Sequence, residues 1–220
     1  MYYPPVRQSY HTKPRNMTVY GSGFVSVEPN VARIQLGVVT QDVELETAQQ
    51  ENARIIDNVI QSLQRLSIDQ DHIQTADYTI FPQYDYIDGS QKFKGYEVTH
   101  LLSITLDNIE QTGKVIDTAV QSGVNKITTI TFNVKDREVF YQQALKMAVE
   151  NATNKAQVIA GTMRVNLDPV PNKLIEQLKE QILQPYQQLA SAEVGGVSTP
   201  IEPGLIEIEA RVEAEFNYFS

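Results

Sequence analysis

Alternating apolar and polar positions at both ends of the chain predict long β-strands. The first run begins at Met17 and includes Val19, Val25 and Val27. After the turn Glu28-Pro29-Asn30, the alternation resumes with Ala32, Ile34, Leu36 and Val38. Two runs of period two around a turn predict a β-hairpin with one buried face. The cleanest alternation comes last, where the apolar face of a final strand consists of Ile206, Ile208, Ala210, Val212, Ala214, Phe216 and Tyr218.

Helical and strand patterns alternate between these two ends. A helix after Asp42 and strands near 73–86 and 96–106 give the first half the order β-β-α-β-β. The second half predicts a helix, a strand, a long helix and one further strand, over 109–122, 126–134, 136–163 and 170–178. A long loop is expected over 184–204, because proline and glycine interrupt it. The fold class is therefore α+β, a two-layer α/β sandwich of antiparallel sheets with helices packed on one face.

We expect two subdomains preceded by a tail. Residues 1–16 are interpreted as a flexible N-terminal tail, because they are polar, contain several prolines and lack an apolar period. Residues 17–90 together with 165–220 are assigned to the first α/β subdomain. Residues 91–164 are assigned to the second.

The long helix carries an alanine at every fourth position, in Ala144, Ala148, Ala152, Ala156 and Ala160. Residues four apart lie on the same side of a helix, and the stripe drifts slowly around the axis. A row of methyl groups predicts close packing against a helix or a sheet. It does not indicate chemistry.

Composition and charge exclude several classes of function. The formal charge is −9 at pH 7, and nucleic acids and anionic membranes are bound by basic surfaces, so neither is an expected partner. The chain has no cysteine, which removes disulfides and thiolate chemistry. No apolar run is long enough to span a membrane. Because residues 1–16 also lack the apolar run of a signal segment, a cytoplasmic location is expected.

Enzyme motifs are absent from the sequence. Gly21-x-Gly23 has Ser26 in place of the third glycine of a dinucleotide fingerprint, and it precedes a strand pattern where that motif needs a helix. Close strand packing or a bulge explains these glycines better. No phosphate-binding loop, nucleophile elbow or His-Glu-x-x-His pair occurs. We therefore expect no catalytic residue, no cofactor and no resident metal.

An aromatic segment between Tyr78 and Tyr96 is the best candidate surface. Its site residues are Tyr84, Tyr86, Phe93 and Tyr96, and tyrosine is favoured at interfaces because its ring buries well while its hydroxyl stays hydrogen-bonded. Three interpretations remain open. These residues belong to the core, to a subunit interface or to a small-ligand pocket.

Two polar features have a structural and a functional interpretation. His100 lies on the apolar face of its strand, either as a hydrogen-bonded core or edge histidine or as a pH-sensitive contact. On the last strand Glu207, Glu209, Glu213 and Glu215 flank Arg211. This row is a solvated, partly charge-paired face or a surface for hard cations.

The ordered motifs resemble the SIMPL-domain family. The resemblance spans about 17–219 and rests on Val19-Tyr20-Gly21-Ser22-Gly23, Glu28-Pro29-Asn30, Gln74-Thr75, Ile80-x-Pro82-x-Tyr84, Gly95-Tyr96, Gly123-Val124-Asn125-x-Ile127, Ala148-x-x-x-Ala152-x-x-Lys155-Ala156 and Pro200-Ile201-x-Pro203-Gly204. It implies helices on antiparallel sheet, often in two subdomains, with no catalytic residues. Bacterial members are commonly exported, some resemble immunogenic periplasmic proteins that form ring-like or channel-like homo-oligomers, and others are associated with stress tolerance.

The interpretation that follows is a non-enzymatic protein that assembles with copies of itself through the aromatic segment and the N-terminal tail, which is basic because it contains Arg7, Lys13 and Arg15 and no acidic residue. The alternative is a small-ligand-binding module with a pocket between the subdomains. Acid-base catalysis by paired carboxylates ranks third, because no pair stands out among 27 acidic residues.

Overall fold

The computed structural model describes residues 15–87, 89–177 and 199–219. The chain forms two compact units. Of the described residues, the first contains 15–27, 136–177 and 207–219, and the second contains 28–87, 89–135 and 199–206. In both units helices pack on antiparallel sheet, which confirms the predicted α+β class.

The first unit combines one long helix with one sheet. Its elements are β1 (Arg15–Val27), α3 (Arg137–Met163), β6 (Asn166–Leu167), β7 (Lys173–Glu176) and β8 (Ile206–Phe219). Strand β8 lies between β1 on one side and β6 and β7 on the other. Its predicted buried face is confirmed from Ile208 to Phe216, and this face forms the sheet side of the core.

The alanine stripe of α3 lies directly on β1. All five alanines are at most 2% exposed. A methyl group added to Gly21 would be 2.0 Å from the carbonyl oxygen of Ala148, and one added to Gly23 would be 2.1 Å from that of Ala144. The helix backbone therefore touches the strand backbone, which requires glycine on the strand and alanine on the helix. This confirms the close packing predicted for both motifs.

The second unit contains a four-stranded sheet and two helices. Its elements are β2 (Val31–Asp42), α1 (Leu45–Arg65), β3 (Ile73–Ile87), β4 (Ser90–Leu106), α2 (Thr112–Gln121) and β5 (Lys126–Asn133). The strand order is β3-β4-β2-β5, and each neighbouring pair is antiparallel. Short 3₁₀ turns precede β3 and α2.

Branched aliphatic side chains form the core of the second unit. Its largest fully buried members include Ile34, Leu36, Leu63, Leu102 and Ile104. The buried Asn52 of α1 also fastens the helix to the sheet. Its amide nitrogen donates hydrogen bonds of 3.1 Å to the carbonyl oxygens of Val38 and Val98 on neighbouring strands.

The predicted hairpin between the first two strands is wrong, although both strands exist. Strand β1 pairs with β8, whereas β2 lies between β4 and β5 in the other sheet. Both edges of β2 are therefore occupied, and the turn Glu28-Pro29-Asn30 leads from one unit into the next. Local alternation predicts a strand but does not identify its partner.

The unit boundaries differ from the predicted subdomains. A boundary after residue 90 would separate β3 from β4, which are hydrogen-bonded along most of their length. The long helix α3 packs instead on β1 and β8, which lie near the two ends of the chain and share one hydrophobic core with it. Residues 15 and 16 belong to β1 and not to the predicted tail, whose residues 1–14 lie outside the described residues, as do residues 184–198 of the predicted loop.

Several apolar side chains on the helices are exposed to solvent. They include Val120 on α2 and Ile159 and Met163 on α3. The close packing of α3 through its alanines explains the exposure of Ile159 and Met163, because a narrow stripe of methyl groups leaves flanking positions outside the contact.

Candidate interaction surface

Strands β3 and β4 extend beyond the sheet as a two-stranded ribbon. Pairing between β2 and β4 ends at Asp42 and Tyr96. Beyond that point β3 and β4 pair only with each other among the described residues, up to Ile87 and Ser90. We call residues 82–96 the aromatic ribbon. The ribbon exists because β3 and β4, with 15 and 17 residues, are longer than β2, which has 12 residues.

A glycine at the base allows the ribbon to pass the end of β2. Gly95 is buried and has φ +148°, and the strand register shifts beside it, between Gln83 and Tyr84. A methyl group at Gly95 would be 2.5 Å from the carbonyl oxygen of Asp42. The backbone conformation and the lack of space both require glycine there.

Three aromatic rings form a continuous chain on the ribbon. The ring centroids of Tyr84 and Phe93 are 5.7 Å apart at an interplanar angle of 72°, and those of Phe93 and Tyr96 are 5.2 Å apart at 68°. Edge-to-face pairs at such distances are mutually stabilising. Tyr84 and Phe93 also oppose each other directly across the strands. The chain of rings is therefore a preformed apolar surface.

These rings remain largely exposed to solvent. Tyr84 is 44% exposed, Phe93 46% and Tyr86 76%, while Tyr96 at the base is half-buried. The core interpretation therefore does not describe Tyr84, Tyr86 or Phe93. The structure brings Tyr84, Phe93 and Tyr96 together, and it places Tyr86 one step further along the same strand, opposite Gln91.

His100 and Tyr78 lie opposite each other on β4 and β3, and His100 stands between the buried residues Val98 and Leu102 on one face of its strand. Their ring centroids are 5.2 Å apart at 86°, and the Tyr78 hydroxyl accepts a hydrogen bond of 3.3 Å from Gln49 on α1. Nε2 of His100 is 3.0 Å from Oγ1 of Thr75. Partial burial lowers the pKa of His100 below its ordinary value of 6.5. This agrees with the interpretation as a hydrogen-bonded core or edge histidine.

The carboxylate row on β8 is partly charge-paired. Nε of Arg211 contacts Glu209, and Gln177 donates a hydrogen bond of 3.4 Å to Glu213. Within residues 15–87, 89–177 and 199–219, no group of three histidine or acidic side chains has the geometry to hold a metal ion. No helix in those ranges is long and apolar enough to cross a lipid bilayer.

The comparisons with known proteins identify the family. The SIMPL family, described as a protein of unknown function (DUF541), matches residues 17–216. This chain belongs to that family. Two of the motifs that carry the family resemblance have structural roles in this chain. Gly21 and Gly23 allow helix α3 to pack closely on β1. The side-chain amide of Asn125 makes two hydrogen bonds of 2.8 Å to the backbone of Val39.

Relatives in this family include proteins from several bacteria. The chain is 27% identical to uncharacterized protein YggE of Escherichia coli K12 over 68% of its own length, and it spans only 61% of that relative. It is 26% identical to YggE of Edwardsiella ictaluri over 93% of its length and 88% of the relative. It is 27% identical to the 26 kDa periplasmic immunogenic protein of Brucella melitensis over 72% of its length and 66% of the relative.

The expected cytoplasmic location is wrong. Two Brucella relatives are named as periplasmic proteins, which points to export. The prediction depended on the missing signal segment in residues 1–16, and a signal segment is removed from the mature form of an exported protein. Its absence from a sequence therefore does not separate the two locations.

Proposed function

We propose that this SIMPL-family protein is a non-enzymatic interaction protein that assembles with copies of itself through the aromatic ribbon. The observation that carries the proposal is the exposed chain of rings formed by Tyr84, Phe93 and Tyr96. The names of the Brucella relatives support an exported location for this assembly. A role in stress tolerance stays a prediction from the family resemblance alone.

Within the described part of the chain, the lack of any element packed on the rings of the ribbon supports the proposal that a partner covers them. A two-stranded hairpin without a cover is only marginally stable in water, and this one carries its apolar rings on an open face. Each aromatic side chain buries about 150–250 Å² when it is covered. Tyr84, Phe93 and Tyr96 are already about half covered, so together with the more exposed Tyr86 the rings supply about half of the roughly 800 Å² that each partner contributes to a stable interface.

Charge favours a second copy as that partner. The whole chain carries −9, so contacts between random surfaces of two copies are repulsive. Residues 82–96 contain two acidic residues, Asp85 and Asp88, and two basic residues, Lys92 and Lys94, giving 2 − 2 = 0. Lys94 and Asp85 form an ion pair of 3.5 Å. Two ribbons related by a two-fold axis meet without net repulsion, and each contact between rings is made twice by symmetry.

The non-enzymatic part of the proposal is supported by the state of the carboxylates. A catalytic acid needs a raised pKa in a cleft. Basic partners lower the pKa values of Glu51 and Asp107, which is the opposite of the shift that a catalytic acid needs. The chief cause is the hydrogen bond from Arg54 for Glu51 and from Lys135 for Asp107.

The test is the solution mass of the full chain by light scattering, with two matched double variants. We expect the unmodified chain to form a discrete multimer of the 24.8 kDa chain, and Tyr84→Ser with Phe93→Ser to reduce it to a single chain. The free energy of unfolding should fall by only about 1–2 kcal/mol, because the two half-exposed rings lose their mutual packing while the core stays intact. Tyr20→Ser with Phe24→Ser removes two rings of similar exposure from β1, and it should leave the multimer intact.

Two outcomes would overturn the proposal. The first is an unmodified chain that stays monomeric at high concentration. The second is equal dissociation by both double variants, because the effect would then follow from the loss of any exposed aromatic pair. Deleting residues 1–14 in the same assay tests whether the basic N-terminal tail contributes to assembly.

A further inference from the structure

An open cavity of about 440 Å³ lies in the second unit, away from the aromatic ribbon. It is found where β2 begins and where β4 and β5 end, since Arg33 is in register with Thr105 on β4 and Val31 with Asn133 on β5. Its polar lining consists of Arg33, His72, Thr105, Asp107, Asn133 and Lys135. All of these residues lie within the second unit.

The lining is positively charged in a chain of net charge −9. Nζ of Lys135 is 2.9 Å from Oδ2 of Asp107. The hydrogen bond from Lys135 is the chief cause of a lowered pKa of Asp107, and His72 lowers it further. Asp107 is thus ionised and compensated by Lys135. Within the described ranges, the guanidinium of Arg33 has no carboxylate partner, so one positive charge is left over before His72 is counted.

Backbone hydrogen bonds hold the segments that carry the two cations together. The backbone N–H of Lys135 donates to Oδ1 of Asn30 at 2.9 Å. The backbone N–H of Asn30 in turn donates to the carbonyl oxygen of Asn133 at 3.0 Å. The residues after β5 are therefore tied to the turn before β2. The backbone positions of Arg33 and Lys135 are therefore held relative to each other without a bound ligand, and binding has to order only their side chains.

We propose that this cavity binds the oxyanion group of a small molecule, a phosphate monoester or a carboxylate, with Arg33 as its principal contact. A guanidinium presents a planar fork of donors that matches two oxygens of either group. The hydroxyl of Thr105 and the amide of Asn133 add neutral donors on the same lining. The cavity has room for more than the anionic group, so the remainder of the molecule lies along the open side.

The test is thermal unfolding of the full chain titrated with inorganic phosphate and, separately, with acetate. Sodium chloride keeps the ionic strength constant, so that screening does not produce a shift. A ligand that binds only the folded state raises the melting temperature with its concentration. We expect a saturable rise with at least one of the two anions. The stronger of the two identifies the phosphate or the carboxylate as the preferred group.

Three single variants assign the effect to the cavity. Arg33→Gln should raise the dissociation constant about tenfold, the size expected for the loss of a charge-assisted hydrogen bond. Asp107→Asn should lower it, because an acid is removed from the lining. Arg65→Gln removes the same charge from the end of α1, outside the cavity, and should leave it unchanged.

The proposal is overturned if neither anion produces a saturable rise. It is also overturned if Arg33→Gln and Arg65→Gln weaken binding equally, since the effect would then reflect total charge. Arg33 is exposed, so loss of folding does not obscure the result.

Discussion

Strands β3 and β4 cross two regions of the second unit that follow the same alternating pattern but have different surroundings. Under α1, Val98, Leu102 and Ile104 of β4 are at most 1% exposed. Further along the same strands, Tyr84 and Phe93 are nearly half exposed. The difference arises from what covers the apolar face of these two strands, because β2 and α1 do not extend along the ribbon. An apolar strand face is therefore not by itself evidence of a core.

Residue type also differs between the two regions. The covered region uses branched aliphatic side chains, which fill a permanent core in well-defined rotamers. The ribbon uses mainly tyrosine, whose hydroxyl stays hydrogen-bonded to water while the ring becomes buried against a partner. A surface that is exposed before assembly and covered afterwards needs that property. The comparison thus separates side chains that hold the fold from side chains proposed to hold the assembly.

The largest effect on stability is expected in the covered region. Leu102→Ala should lower the free energy of unfolding by about 2–5 kcal/mol, because it leaves a cavity among tightly packed neighbours. Urea denaturation measures the change at a concentration where the variant and the unmodified chain have the same mass. The assembled mass should stay the same wherever the variant is folded. Dissociation of a still-folded Leu102→Ala chain would contradict the separation of the two roles.

A smaller effect is expected at the boundary between the regions. Gly95→Ala should cost about 1–3 kcal/mol, because alanine is strained at φ +148° and its methyl group would meet the carbonyl of Asp42. The assembled mass should fall as well, since the direction of the ribbon depends on this residue. Denaturation and light scattering on the same sample measure both changes.

Gly89 provides the matched control for this position. It has φ +75° at the tip of the ribbon, and an added methyl group would meet no atom within 4 Å. Gly89→Ala should therefore cost only the backbone strain, about 1 kcal/mol, with no change in mass. If the two glycine variants behave alike, the close contact with Asp42 does not fix the ribbon.

The sequence predicts much of this fold, because side-chain period is a local property. The buried face of β8, the alanine stripe of α3 and the strands around the ribbon all follow from spacing alone. The two glycines of β1 could be interpreted correctly because a motif that precedes a strand pattern cannot cradle a dinucleotide. Their contact with Ala144 and Ala148, more than 120 positions away in the sequence, could not be derived from spacing.

Strand partners and surface exposure are the parts that the sequence does not predict. Strands β1 and β2 resemble a hairpin locally, yet each pairs with strands far away along the chain. The exposure of Tyr84 depends on where β2 and α1 stop relative to β3 and β4. A comparison of strand lengths is the sequence signal for this exposure, because β2 is too short to pair with β4 along its whole length. The cavity around Arg33 joins four segments and shows no sequence motif.

The central claim is that a second copy covers the ribbon, and a single fluorescent reporter tests it most directly. The chain contains no tryptophan, so Phe93→Trp introduces one emitting residue into the chain of rings. Tyr20→Trp places the control on β1. We predict that, as concentration rises through the assembly range, emission from position 93 moves to shorter wavelength and becomes resistant to acrylamide quenching, while emission from position 20 does not. A multimer in which the tryptophan at position 93 stays as accessible as in the dilute chain would contradict the account.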